Sequence, residues 1–201
     1  MRRPVGLLAC LLMLTGVMMV PKTGDAGTRW RLDPEHTTVM FEAPHIGYAR
    51  IFGLFQRVEG EFDFDEATRA LTYLRIKVDL DSVFTNNQRR DRHLRSEDFL
   101  DAYNHRIAEF VMTDADPASD KTGQIIGDLR FRGVTKPVTL DVTLNRIGPY
   151  PFGGTYVLGA SATTVIRRSD FGSSYGVADG WVPDEIPVRI EIEAIREEPA
   201  R

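Results

Sequence analysis

Apolar and polar side chains alternate one by one in several stretches of the chain, at residues 60–65, 74–81, 138–145 and 188–193. In the first stretch both phenylalanines fall on one face and the three acidic residues on the other. Successive side chains of a β-strand point to opposite faces, so this pattern predicts strands with one buried and one solvated face. Weaker alternation predicts further strands at 37–43, 107–114, 124–131 and 155–167.

About eight half-buried strands are typical of an antiparallel, all-β architecture. Helical patterns of 10–15 residues do not separate the strands, which argues against a parallel α/β sheet. Two packed sheets and a closed barrel both satisfy the pattern. A barrel of about eight strands would have an interior just wide enough for side chains or one small ligand.

One charged segment, residues 89–101, has a helical pattern. Thr85-Asn86-Asn87-Gln88 has the form of a capping box, with Thr85 predicted as the N-cap of a helix that extends to Arg95. Ser96 is then expected to cap a second short turn. The segment is therefore predicted as a helical insertion between two strands, with a solvated charged surface. The side chains expected to face inward are Leu94, Phe99 and Leu100.

The first 26 residues differ from the rest of the chain. Arg2 and Arg3 precede the apolar run Val5–Val20, and small residues follow at Gly24 and Ala26. This order predicts a cleavable signal peptide at residues 1–26 and one exported domain at residues 27–201. A retained membrane anchor is the alternative, although the run is shorter than the roughly 20 residues of a membrane span.

Composition excludes several kinds of chemistry. The single cysteine, Cys10, lies in the apolar run, so an exported domain would have no disulfide and no thiolate nucleophile. The net charge of −4 becomes −6 without residues 1–26, which argues against nucleic acid as a partner. The four histidines have no spacing suited to a compact metal site, and no G-x-S-x-G nucleophile elbow between a strand and a helix is predicted. We therefore predict no metal, no cofactor and no catalytic residue.

Several segments, in this order, resemble the YceI-like family, the polyisoprenoid-binding, lipocalin-like periplasmic proteins of bacteria. The similarity covers roughly residues 28–196 and departs at His105-Arg106, where the family usually has Tyr-Pro, and at Arg167, where it usually has Asn. The matching segments are WRLDPEHTTVMF at 30–41, RDRHLRSEDF at 90–99, GDLRFRGVTKPV at 127–138 and RSDFG at 168–172.

The resemblance implies an eight-stranded antiparallel, lipocalin-like barrel with a short helix over one end. It also implies an apolar cavity for an isoprenoid or similar long-chain lipid, export to the periplasm, and a possible homodimer. We therefore expect a non-enzymatic lipid carrier.

The first alternative is a protein-interaction module of the cell envelope with a filled barrel core, suggested by Tyr175 and Trp181 in the unusual segment 172–183. An enzyme that uses His93 with a neighbouring acid is the second.

Strand parity and the resemblance together predict a set of ligand-binding residues. Leu94 and Phe99 are expected to close one end of the barrel, and His45, His93 and Arg168 are expected near a polar head group. The residues predicted to face the cavity are Val39, Phe41, Leu74, Ile76, Val78, Phe110, Leu129 and Phe131.

Overall fold

The computed structural model describes residues 27–198, so the predicted signal peptide lies outside the described residues. Antiparallel pairing joins all of its strands into one sheet that closes on itself. A helix, α1, spans Gln88–Arg95, and short 3-10 helices span Leu80–Ser82 and Arg168–Phe171. The strands are β1 (Thr28–Leu32), β2 (Thr38–His45), β3 (Ala49–Phe55), β4 (Val58–Phe64), β5 (Leu71–Asp79), β6 (Val83–Phe84), β7 (Ile107–Pro117), β8 (Thr122–Phe131), β9 (Val134–Pro149), β10 (Tyr156–Arg167) and β11 (Glu185–Arg196).

Three of the barrel's strands are bent and therefore divide into two segments each. β1 and β2 pair in succession with β11, at its end and its beginning respectively. β3 and β4 are separated only by Gln56 and Arg57, and β5 and β6 only by the first 3-10 helix. Each bent strand pairs antiparallel with the next, and β7 to β11 complete the ring. The predicted eight-stranded antiparallel barrel with one short helix is confirmed.

The barrel has an upper and a lower end. At the lower end lie the β4–β5, β7–β8 and β9–β10 connections. At the upper end lie the β2–β3 hairpin, α1 and the segment between β10 and β11. Two parts of the chain, residues 85–101 and 171–183, close this end and are called the cover. No helix among residues 27–198 is long and apolar enough to cross a membrane.

The caps of α1 differ from the prediction. Asn87, not Thr85, is the N-cap, and its side chain accepts a hydrogen bond from the backbone N–H of Arg90. Thr85 instead donates its backbone N–H and its hydroxyl to Asp91, over 2.9 and 2.5 Å. Ser96 ends α1, and its hydroxyl donates to the carbonyl oxygen of His93, so it caps no second helix. Residues 97–100, which follow Ser96, form turns.

Side chains fill the lower half of the barrel. The ring of Trp30 stacks on Phe62, with centroids 6.2 Å apart and planes 7° from parallel, and reaches Tyr156 at 6.1 Å. Trp30 is 1 % exposed and Ala194 is fully buried. Such close packing leaves no room for a ligand at this level, so any cavity must lie above it.

Candidate functional site

A cavity of about 230 Å³ occupies the upper half of the barrel, beneath the cover. Inward side chains of β2, β3, β5, β7, β8, β9, β10 and β11 form its wall, as their alternation requires. Leu94, Phe99 and Leu100 of the cover close it from above. The predicted inward direction of these three side chains is confirmed.

The cavity lining is almost entirely apolar. Thr164, Arg168 and Ser173 are its polar members, and no histidine or carboxylate of the described chain lines it. Its volume lies between the roughly 150 Å³ of a cavity that accepts benzene and the roughly 300–1,000 Å³ of sites that hold drug-sized molecules. The cavity can therefore hold a limited length of apolar chain, which burial alone would stabilise.

Arg168 reaches the cavity wall, but its guanidinium is occupied by the cover. Its N–H groups donate to the backbone carbonyls of Pro183 (2.8 Å), Tyr175 (2.7 Å), Val182 (3.1 Å) and Ser173 (3.3 Å). The residue is 5 % exposed, and burial lowers the pKa of the guanidinium, an effect that Asp184 partly opposes. Because four of its five N–H groups donate to these carbonyls, the main role of Arg168 is to hold the loop 172–183.

A second arginine, Arg132, joins the two parts of the cover. It donates to the carbonyls of Glu97 and Phe99, both at 2.8 Å, and to those of Phe171 (3.1 Å) and Gly172 (3.2 Å). Arg132 has a positive φ of 51° in the two-residue β8–β9 turn, which points its side chain over the barrel end. No sequence pattern indicates this role, because every residue has a carbonyl acceptor.

His45 and His93 do not line the cavity. They line a neighbouring mouth groove, together with Tyr175 and Trp181, that shares Phe41, Leu94 and Phe99 with the cavity. His93 lies 2.8 Å from Asp98 through its Nε2 atom, and its ring meets Phe99 and Tyr175 edge-on at 4.9 and 5.2 Å. His93 thus braces the cover at the mouth of the cavity.

Leu74 has the predicted inward parity but the wrong height. It is 6 % exposed and pairs with Phe62 in the filled lower half, below the cavity. Strand alternation indicates whether a side chain faces the barrel interior, but not how far along the barrel axis it lies. This explains the error for Leu74. The predicted residues that do line the cavity are Val39, Phe41, Ile76, Val78, Leu94, Phe99, Phe110, Leu129, Phe131 and Arg168.

Several lining residues were not predicted. Those on β9 and β11 continue alternations already visible in the sequence, so parity could have identified them. Ser173 and Val182 come from the loop 172–183, where no periodicity marks the inward side chains. The unpredicted residues are Ala43, Phe55, Leu80, Ala108, Val138, Leu140, Thr164, Ile166, Ser173, Val182, Ile186, Val188 and Ile190.

Asp33, His36 and Glu193 form a cluster outside the cavity, with one ligating atom from each residue within 4.8 Å of the others. The spacing of the histidines could not reveal it, because Glu193 comes from β11 and the other two from the β1–β2 turn. His36 Nδ1 lies 2.8 Å from Asp33 Oδ2 and 3.8 Å from Glu193 Oε2. The backbone N–H of Asp33 donates to the carbonyl of Glu193 over 2.8 Å, and that of Glu193 donates to the carbonyl of His36 over 3.3 Å, so the cluster joins the turn to β11.

The hydrogen bond to Asp33 raises the pKa of His36 above its usual 6.5, and the bond to His36 lowers the pKa of Asp33. The contribution of His36 to stability is thus complete below about pH 6.5 and lost as the pH rises through the raised value. The contribution of Asp33 to stability is lost as the pH falls through its lowered pKa. NMR titration should show His36 titrating above pH 6.5, and Asp33→Asn should move it downward. An unchanged His36 titration in this variant would contradict the assignment.

Most of the chain matches a known protein family. The model of the YceI-like domain matches residues 30–194, which include all of the cavity wall. The chain belongs to the YceI-like family. Among its YceI-like relatives, a UPF0312 protein of Pseudomonas syringae pv. syringae (strain B728a) is 38 % identical over 138 residues, covering 69 % of this chain and 71 % of the relative. A UPF0312 protein of Pseudomonas putida (strain GB-1) is 33 % identical over 170 residues, covering 84 % of this chain and 86 % of the relative.

Solved structures share this YceI-like fold. Burkholderia cenocepacia BcnA has a TM-score of 0.72 at 21 % identity, covering 81 % of this chain and 98 % of BcnA. A YCEI protein of Campylobacter jejuni has a TM-score of 0.68 at 29 % identity, covering 77 % and 90 %. A polyisoprenoid binding domain from Saccharophagus degradans has a TM-score of 0.62 at 13 % identity, covering 84 % and 98 %. The two similarities below 25 % identity bear on the fold alone.

Proposed function

We propose that this protein is a periplasmic carrier that binds an isoprenoid or similar long-chain amphiphilic lipid, with its apolar chain in the upper barrel and its polar end at the mouth groove. The single observation that carries the proposal is a closed barrel with an almost wholly apolar cavity under an aromatic cover. The Saccharophagus degradans domain, which has the same fold, is described as polyisoprenoid binding.

Binding of this kind needs no reacting group. Each buried methylene stabilises the complex by about 0.8 kcal/mol, so even a short inserted segment gives useful affinity. The polar end of the ligand would remain among His45, His93 and the exposed Arg89, which line the mouth groove. Arg168 supports the site by fixing the loop 172–183 and is not a proposed head-group ligand.

Blocking the cavity tests the proposal. Thr164 lines the cavity, and a phenylalanine there would occupy much of its volume. We expect native mass spectrometry of the purified wild-type protein to detect a bound lipid, and Thr164→Phe to reduce its occupancy at least tenfold. Lipid-free protein could be reloaded with farnesol, a three-unit isoprenol, to give the same comparison without reliance on the expression host.

Thr163→Phe is the matched control, because Thr163 is the next residue of β10 and is exposed on the outer face. It should bind as the wild type does. A wild-type protein that neither retains nor takes up isoprenols or fatty alcohols would rule out the carrier function. Equal lipid occupancy in Thr164→Phe and the wild type would place the ligand elsewhere.

A protein-interaction module remains the second candidate. The filled lower half of the barrel and the exposed side chains of Ile46, Tyr48 and Trp181 around the mouth favour it. These residues could contact an envelope protein or a second copy of the chain. Lipid-free protein that forms a stable homodimer or complex, with unaltered assembly in Thr164→Phe, would favour this function over lipid transport.

A further inference from the structure

The floor of the cavity lies about halfway along the barrel. On every strand of the wall, the lining stops at a definite inward residue: Ile76 on β5, Thr164 on β10 and Ile190 on β11. The next inward residue of β5 is Leu74, which is 6 % exposed and outside the cavity. Particular side chains, and not the length of the barrel, therefore set the position of the floor along the barrel.

A continuous row of large side chains lies below the floor. Leu74 pairs with Phe62 across β5 and β4, and Phe62 pairs with Trp30 across β4 and β1. The Trp30 ring then reaches Tyr156 on β10, on another wall of the barrel. Leu74, Phe62 and Trp30, together called the plug, span the interior and separate the cavity from the lower end.

The cavity's depth can be compared with the length of an isoprenoid. The lining of β11 runs from Ile186 to Ile190, which is roughly 10 Å along the axis at about 3.4 Å per residue and a strand tilt of about 40°. An extended isoprene unit spans roughly 5 Å, or four carbon–carbon bonds of about 1.5 Å. Roughly two isoprene units therefore fit before the chain meets the plug, which agrees with a volume of about 230 Å³, moderately above the roughly 150 Å³ of a cavity that accepts benzene.

We propose that the plug sets the length of apolar chain that this protein recognises, so that roughly two isoprene units insert and longer chains gain no further affinity. The proposal rests on the proposed lipid-binding function and adds its selectivity. Longer isoprenoids bind with their remaining units outside the barrel, toward the mouth groove.

The test is a series of isoprenols from prenol to solanesol, titrated into lipid-free protein. Affinity should rise at least tenfold from prenol to geraniol, as expected from burial of the added methylenes, and then change less than about threefold. Leu74→Ala should deepen the cavity and make farnesol, with one more unit, bind at least tenfold tighter than geraniol. Thr164→Leu should raise the floor and shift the limit toward prenol.

Leu158→Ala is the matched control. It removes the same atoms from the filled lower half, but Leu158 lies three inward positions below Thr164 on β10, whereas Leu74 lies one below Ile76. The control should keep the wild-type limit. If Leu74→Ala does not fold, Thr164→Leu carries the test alone. Affinity that rises steadily through farnesol and beyond in the wild type, or a limit that neither variant moves, would overturn the role of the plug. Failure of every isoprenol to bind would instead contradict the proposed function.

Discussion

Replacing Arg168 with methionine should destabilise the protein by about 3 kcal/mol and release the loop 172–183. Methionine preserves much of the apolar stem but removes the donors to four backbone carbonyls. Hydrogen bonds to charged groups contribute about 1.5–3 kcal/mol each, and the loop would recover part of this by turning its carbonyls toward water. Urea denaturation gives the free energy of unfolding, and hydrogen exchange of the loop amides reports its release.

The neighbouring arginine is the control for this prediction. Arg167 is exposed and forms ion pairs with Asp184 and Glu185 on the barrel surface. Exposed ion pairs contribute about 0–1 kcal/mol, so Arg167→Met should have a small effect. Arg168→Lys should restore only part of the stability, because an ammonium cannot reproduce the planar arrangement of guanidinium donors. Equal stability and equal loop exchange in the two methionine variants would show that Arg168 does not hold the cover.

The role of Arg168 shows where sequence reasoning reached its limit. The sequence places an arginine just after a strand at the barrel end, and the resemblance to YceI-like proteins suggests a head-group contact. Its partners are backbone carbonyls of the loop 172–183, which has no periodicity and several turns. A carbonyl acceptor is present in every residue, so no sequence pattern could distinguish these acceptors from others.

Strand alternation predicted the barrel wall well where each face is uniform. On β11, Val188 and Ile190 face the cavity and Arg189 faces water, as the pattern indicates. On β3 the pattern fails, because Phe52 is 67 % exposed on the outer face and disguises the alternation. β1 alternates correctly, but its five residues are too short to stand out. β1 and β3, each of which is one half of a bent strand, were therefore not predicted, although the predicted number of strands around the barrel is correct.

Trp30→Ala should have the largest effect on stability of any single substitution considered, about 3–5 kcal/mol. Trp30 is 1 % exposed, stacks on Phe62 and contacts Tyr156 across the lower barrel. The surrounding strands are closed into a ring and cannot collapse into the space that the indole leaves. Urea denaturation followed by circular dichroism should show a midpoint far below that of the wild type.

The chain contains two tryptophans, and the other one supplies the control. Trp181 lies in the loop 172–183 and is 47 % exposed, so Trp181→Ala should cost no more than about 1 kcal/mol. Each variant also leaves a single tryptophan, so on selective tryptophan excitation Trp181→Ala retains a blue-shifted emission and Trp30→Ala a red-shifted one. If both substitutions lowered the midpoint equally, the stability of the barrel would not depend on the packed lower half, and the plug would have to be a loosely held group of side chains rather than a fixed floor.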